Sequence, residues 1–236
     1  MTDRPFRVTL GVMARAPVSG RCKTRLAKLI GPDAAARLYG AMLADSLEVY
    51  GRAGADRQLV LAAPEEDGVA VLRNLVPPNW GVIAQEGANL GERLAHATNA
   101  LGADGSAVVL VDSDSPTVPI EPVAAALQRL TGRRRALLGP CVDGGYYLVG
   151  LTTPEPGVFR DIPWSTPGVL AATRARCAEL SLALEELPPW YDVDEPSDLE
   201  QFRAELARHP DRAPRCAAVL RDLRAMSPRR VGASEP

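Results

Sequence analysis

Five consecutive apolar residues, Ala107 to Val111 (AVVLV), stop abruptly at Asp112. A short, β-rich run that is apolar on both faces suits a strand buried inside a parallel sheet. Parallel neighbours need crossover connections, which are usually helical. The rest of the chain supplies both kinds of segment in alternation. Strands are expected at Phe6 to Met13, Gln58 to Ala63, Val82 to Glu86, Ala136 to Gly139 and Tyr146 to Leu151. Helices are expected near Thr24, from Pro32 to the glycines Gly51 and Gly54, at Gly91 to Leu101, Pro122 to Leu130, Pro196 to Arg208 and Ala213 to Met226. A further helix is expected from Pro167 to about Leu180, with Thr166 as N-cap and Pro167 in the first helical position. The pattern predicts one α/β domain with helices on both faces of a mostly parallel sheet. Ligands of such sheets bind beyond the carboxyl ends of the strands, where the polar motifs should lie.

The remaining bulk properties exclude several classes. The 236 residues fit one large domain, and 46% hydrophobic with 24% charged residues excludes a mostly disordered chain. A net charge of −2 gives no bulk field for nucleic acid or anionic membrane. The N-terminal apolar run is brief and broken by Arg15, and no 18-residue apolar stretch occurs. A cytoplasmic protein without a membrane span is expected. Cys22, Cys141, Cys177 and Cys216 are widely spaced and far from either histidine, so reduced thiols are expected. The last ten residues, SPRRVGASEP, are expected to be disordered and to lie outside a domain of residues 1–226.

Four polar segments carry candidate chemistry. The loop after the first strand holds Arg15, Arg21, Lys23 and Arg25 and feeds a helix, an arrangement suited to phosphates. Asp112 and Asp114 follow the central strand and suit Mg²⁺ or Mn²⁺, with phosphate oxygens completing the shell. Asp192 and Asp194 offer further carboxylates, while Glu195 or Asp194 can cap the helix at Pro196 and Asp198 fits its first turn. In Asp143-Gly144-Gly145 the glycines allow a ligand close to the backbone, or simply a tight turn.

Six motifs in this order resemble a known family. They are A-P-V-x-G-x-x-K-T-R-L (Ala16 to Leu26), L-G-E-R-L (Leu90 to Leu94), V-x-S-D-S-P (Val111 to Pro116), G-P-x-x-D-G-G-Y-Y-L (Gly139 to Leu148), P-W-S-T-P (Pro163 to Pro167) and D-V-D-x-P-x-D-L (Asp192 to Leu199). Together they resemble DUF2064, also described as the radical-SAM/selenodomain-associated transferase 1 or arsenosugar-biosynthesis glycosyltransferase group. The resemblance implies the GT-A fold of nucleotide-diphospho-sugar transferases, a Rossmann-like three-layer α/β/α sandwich. It also implies kinship with phospholactate guanylyltransferase and the molybdopterin nucleotidyltransferases. The family usually has Gly at the position of Asp112, and Asp114 aligns with its metal-binding Asp.

The reaction implied first is Mg²⁺-dependent nucleotidyl transfer from a nucleoside triphosphate to a small phosphorylated acceptor, releasing pyrophosphate. The alternative is glycosyl transfer from a nucleotide sugar to a small-molecule hydroxyl acceptor, with Asp143 orienting or deprotonating that hydroxyl. For nucleotidyl transfer the expected metal ligands are Asp114 with Asp192 or Asp194, and Lys23, Arg15, Arg21 and Arg25 stabilise the leaving pyrophosphate. For glycosyl transfer the Asp112 and Asp114 carboxylates hold the metal on the leaving diphosphate, and the basic loop is less well explained. Ala14, Arg15, Leu90, Gly91, Arg93 and Asp112 are expected at the nucleotide. Gly144, Gly145, Trp164, Ser165 and Thr166 are expected at the acceptor. A homodimer is compatible with this family, and no nucleic-acid or membrane partner is implied.

Overall fold

The computed structural model describes residues 7–132 and 134–226. Its seven strands are β1 (Val8–Ala14), β2 (Arg57–Ala62), β3 (Gly81–Ala84), β4 (Ala107–Val111), β5 (Arg135–Pro140), β6 (Tyr146–Leu151) and β7 (Ala183–Glu186). They form one sheet in the order β3-β2-β1-β4-β6-β5-β7. The pairs β1–β2, β1–β4, β2–β3 and β5–β7 are parallel, and β6 runs antiparallel to both β4 and β5. The expected mostly parallel α/β architecture is therefore the observed one.

Successive residues of a strand face opposite sides of its sheet. Leu10, Val12, Val60 and Val109 enter one core with Leu43, Leu47 and Tyr50, while Leu59, Leu61, Val108 and Leu110 enter another with Leu94 and Leu101. Helices thus cover both faces. The helices are α1 (Thr24–Ile30), α2 (Pro32–Gly51), α3 (Gly68–Arg73), α4 (Leu90–Leu101), α5 (Ile120–Arg129), α6 (Val169–Glu179), α7 (Pro196–Arg208) and α8 (Pro214–Met226). A third cluster joins α1, α2, α7 and α8 through Leu26, Met42, Phe202 and Leu220. None of the described helices is long and apolar enough to cross a membrane. All four cysteines are buried and unpaired.

Most expected elements are present within one or two residues. The start of the first strand at Phe6 and the expected disordered tail lie outside the described residues. One expectation is corrected. Thr166 caps no helix, because α6 begins at Val169 with Gly168 as N-cap. The Thr166 hydroxyl instead donates to the Pro163 carbonyl at 2.7 Å and accepts from the Gly168 N–H at 3.2 Å. Ser165 is left-handed at φ 63°, so Pro163 to Gly168 is a fixed turn that delays the helix. The short α3, a 3₁₀ turn at Pro156–Phe159 and the edge strand β7 were not expected. Glu185 and Glu186 make β7 look polar, and they pair with Arg129 and Arg174 along the sheet edge.

Helix α8 is anchored by a charged cap from another helix. Asp45 of α2 is 2% exposed and accepts the backbone N–H groups of Cys216 at 2.9 Å and Arg215 at 3.3 Å. Asp45→Ala should therefore cost about 2–4 kcal/mol, from the lost cap and the orphaned donors. Urea denaturation checks this, and an unchanged midpoint would deny the cap any role.

Candidate active site

The site is assembled where β1 and β4 end side by side. After β4, the Asp112 N–H donates to the Tyr147 carbonyl at 3.0 Å, which carries the pairing with β6 one residue further. The Ser113 hydroxyl donates to the Met13 carbonyl at 3.0 Å and lies 2.9 Å from the Tyr39 hydroxyl. The Tyr39 hydroxyl in turn accepts the Arg15 N–H at 2.9 Å. The basic loop and the Asp112–Asp114 loop are thereby locked together. The Val193 N–H donates to the Asp114 carbonyl at 3.0 Å, which brings up the Asp192–Asp194 segment. Glu195 is the N-cap of α7 and forms a capping box with Asp198, so the acidic segment is held from both ends.

Lys23 lies at the centre of these acids. It precedes α1 in a left-handed conformation at φ 45°, and its side chain is 4% exposed. Its Nζ is 3.1 Å from Asp114 Oδ1 and 3.5 Å from Asp194 Oδ1. Burial alone disfavours the ammonium charge, but the two carboxylates more than offset it and hold the Lys23 pKa above the ordinary lysine value. Arg25 reaches Asp194 Oδ2 at 2.6 Å and Glu195 at 3.5 Å. Arg15 pairs with Glu65 at 2.6 Å. Lys23, Arg25 and Arg15 are therefore already engaged with acids, a feature their spacing did not reveal.

The carboxylates fit a hard divalent cation. Asp112 Oδ1 is buried without a hydrogen-bond partner, and the buried Asp114 Oδ1 has the Lys23 ammonium at 3.1 Å as its counter-charge. Burial, then the neighbouring Asp114, pushes the Asp112 carboxyl well above the usual range. Burial, then Asp143, raises Asp192 to about 6. Cys141, Asp143 and Asp192 place one potential ligand atom each within 4.8 Å of one another. Burial pushes the Cys141 thiol up, and two of the three groups are carboxylates, so oxygen donors dominate this cluster too. The expected ligands thus divide. Asp192 faces Asp143, whereas Asp194 is engaged by Lys23 and Arg25.

The cleft has two lobes that share Met13, Arg25, Leu90, Asp112, Asp114 and Asp194. One, of about 560 Å³, is lined by Ala14, Arg15, Arg21, Lys23, Gln85 and Arg93. The other, of about 670 Å³, is lined by Asp143, Gly145, Tyr146, Trp164, Ser165, Thr166 and Asp192. The residues expected at the nucleotide and at the acceptor therefore fall largely into separate lobes. Gly91 and Gly144 line neither. A Cβ on Gly91 would meet Trp164 Nε1 at 2.5 Å, and one on Gly144 would meet the Pro167 carbonyl oxygen at 2.2 Å. Both glycines permit close packing against residues that line the second lobe. Tyr39 and Gln85 were not anticipated. Gln85 is buried and donates to the Leu61 carbonyl at 2.7 Å, which fixes the β2 end of the first lobe.

The sequence matches the family model described as "Uncharacterized protein conserved in bacteria (DUF2064)" over residues 46–166. Among solved structures, the fold is similar to a Desulfovibrio desulfuricans G20 protein provisionally named a nucleotide-diphospho-sugar transferase. The two share 32% identity over 93% of this chain and 96% of that one, with a TM-score of 0.85. A nucleotidyl transferase from Methanothermobacter thermautotroptrophicus is 15% identical over 86% of this chain and 99% of its own, with a TM-score of 0.58. Rv0371c from Mycobacterium tuberculosis H37Rv, solved with manganese, is 18% identical over 83% and 97%, with a TM-score of 0.51. These two show a shared fold. No curated protein matches the chain.

Proposed function

The chain belongs to the DUF2064 family, and from that premise we propose that it is a transferase acting on a nucleotide substrate. We read residues 1–226 as one transferase domain. The observation that carries this reading is the junction of the two lobes. A cationic lobe that holds Lys23 and an acidic lobe with aromatic side chains meet at Asp114 and Asp194, the two carboxylates beside Lys23, and Arg25 lines both. The nucleotide phosphates lie in the first lobe against Arg21 and Lys23. The acceptor enters the second lobe, its body against Trp164 and Tyr146.

The reaction favoured is nucleotidyl transfer. An acceptor phosphate oxygen attacks the α-phosphorus in line, the bond to the bridging oxygen breaks, and pyrophosphate departs. Arg25 orients the anionic end of the acceptor, because it is the cation common to both lobes among the described residues. Lys23 and Arg21 stabilise charge on the departing pyrophosphate, and Lys23 is pre-positioned by its two carboxylates. The nucleophile is already an anion, so no side-chain base is required. Asp112, Asp114, Asp192 and Asp143 supply oxygen ligands for a divalent cation, with Mg²⁺ or Mn²⁺ the fitting choice. When bound, that cation neutralises phosphate charge. The named manganese complex of Rv0371c supports this choice.

The acceptor lobe favours a second reading. Away from Arg25 its charged groups are carboxylates, and its walls carry Tyr146, Tyr147 and Trp164 among aliphatic side chains. An uncharged hydroxyl-bearing ring suits that lining better than a second phosphate. Under that reading the chain transfers a sugar from a nucleotide-diphospho-sugar, and Asp143 receives the acceptor proton. The name of the Desulfovibrio relative supports it.

Thermal melts with the four nucleoside triphosphates and the common UDP-, GDP- and dTDP-sugars, each with and without Mg²⁺, test the proposal. A ligand at ~100 times its Kd stabilises by roughly 2.7 kcal/mol. Mg²⁺-dependent stabilisation by a triphosphate, lost in Asp114→Asn, is expected. Selective stabilisation by a nucleotide sugar selects the second reading. No shift with any nucleotide would reject both.

A further inference from the structure

Glu205 on α7 is only 8% exposed and takes no part in the chemistry above. Its Oε1 accepts from Arg212 Nη1 at 2.7 Å. Its Oε2 accepts from the Thr117 hydroxyl at 3.2 Å and from the Tyr191 hydroxyl. Thr117 lies three residues beyond Asp114, and Tyr191 immediately precedes Asp192. A single carboxylate oxygen thus joins the two loops that bring the acids together.

The third acidic loop is tied to the same point. Trp190 donates its indole N–H to Thr117 Oγ1 at 3.3 Å and stacks on Tyr191 with ring centroids 5.8 Å apart. Its backbone N–H donates to the Pro140 carbonyl at 2.9 Å, and its carbonyl accepts from the Val142 N–H at 3.0 Å, one residue before Asp143. The Thr117 hydroxyl therefore spends its one proton on Glu205 and accepts from Trp190.

Holding α7 in place does not require this carboxylate. Leu199, Phe202 and Leu206 of α7 are already buried against α1, α2 and α8. A buried ion pair is a poor source of net stability, since well-packed apolar residues serve as well. What a buried, fully bonded carboxylate adds is a fixed distance between the groups it joins. We infer that Glu205 is a positioning residue that, together with the Val193 N–H bond to the Asp114 carbonyl, sets the gap between the Asp114 loop and the Asp192–Asp194 loop, and through it the cleft's affinity for a divalent cation. The inference rests on the cation reading proposed above.

Calorimetric titration of the full chain with Mn²⁺ alone, paired with thermal melts, tests it. Partners bonded directly to metal ligands typically contribute 10–100-fold in affinity, and Glu205→Gln and Tyr191→Phe, one step further out, should each weaken Mn²⁺ binding by about 10-fold, the lower end of that range. Thr117→Val should weaken it in the same direction, and Thr117→Ser, which keeps the hydroxyl, should restore it. If Glu205→Gln fails to fold, the Thr117 and Tyr191 variants decide. Lowered melting with Mn²⁺ affinity unchanged in all of them would make Glu205 a plain structural brace and overturn the inference alone. Absence of Mn²⁺ binding by the unaltered chain would overturn the cation reading and the inference together.

Discussion

Lys23→Ala is expected to lower turnover by about 10²–10³-fold, the usual cost of removing one preorganised charge-stabilising donor. It should also weaken binding of the stabilising nucleotide by roughly 10- to 100-fold, because a charge-assisted hydrogen bond contributes about 1.5–3 kcal/mol. The reason is its place. The ammonium is 4% exposed and sits 3.1 Å and 3.5 Å from two carboxylates, so it cannot be replaced by a neighbouring mobile cation. Its removal leaves Asp112, Asp114, Asp192 and Asp194 without their central counter-charge. Mn²⁺ should therefore bind the variant at least as tightly as the unaltered chain. Opposite changes in nucleotide and Mn²⁺ affinity would separate this role from general damage. Unchanged nucleotide affinity and turnover would remove the first loop from the mechanism.

Gly144→Ala is expected to produce the largest loss of stability. Gly144 has φ +93°, and an added Cβ would lie 2.2 Å from the Pro167 carbonyl oxygen. The local backbone cannot easily move, since the Gly144 carbonyl accepts the Leu170 N–H at 2.8 Å and its N–H donates to the Cys141 carbonyl at 3.2 Å. The left-handed conformation alone costs a side chain about 1–2 kcal/mol. With the clash, about 3–5 kcal/mol is expected, in the exceptional tail for a single substitution. For a domain of this size that is a fall in Tm of roughly 6–20 °C. Gly145→Ala is the control. Its Cβ would meet only the Asp143 carboxylate, at 3.2 Å. A Gly144→Ala melt close to that of the unaltered chain would show that the Asp143 loop is not pinned against Pro167.

The sequence made the sheet legible where each residue's local preference agreed with its final setting. Ala107–Val111 and Pro196–Arg208 have the expected bounds, because an apolar run ending in Asp and a Pro-initiated helix leave little alternative. Thr166 misled for a physical reason. Ser/Thr before Pro is a good helix start, yet the same hydroxyl can close a local turn, and here it does. The edge strand β7 was hidden because its glutamates break the apolar pattern. For the site, spacing located the acidic and basic loops and their order at the strand ends. It could not show that Lys23 is buried between Asp114 and Asp194. Nor could it show that Asp143 and Asp192, 49 positions apart, face one another. Those contacts arise from long-range packing, as does the Glu205 tie, and leave no periodic trace in the chain.

A crystal structure with Mn²⁺ and whichever nucleotide raises the melting temperature tests the central claim most directly. Phosphates are expected against Arg21, Lys23 and Arg25, the manganese anomalous peak among Asp112, Asp114, Asp143 and Asp192, and the Trp164–Tyr146 lobe left for the acceptor or the transferred sugar. A nucleotide seated with its base against Trp164 and its phosphates away from Lys23, or a manganese peak elsewhere on the molecule, would contradict it.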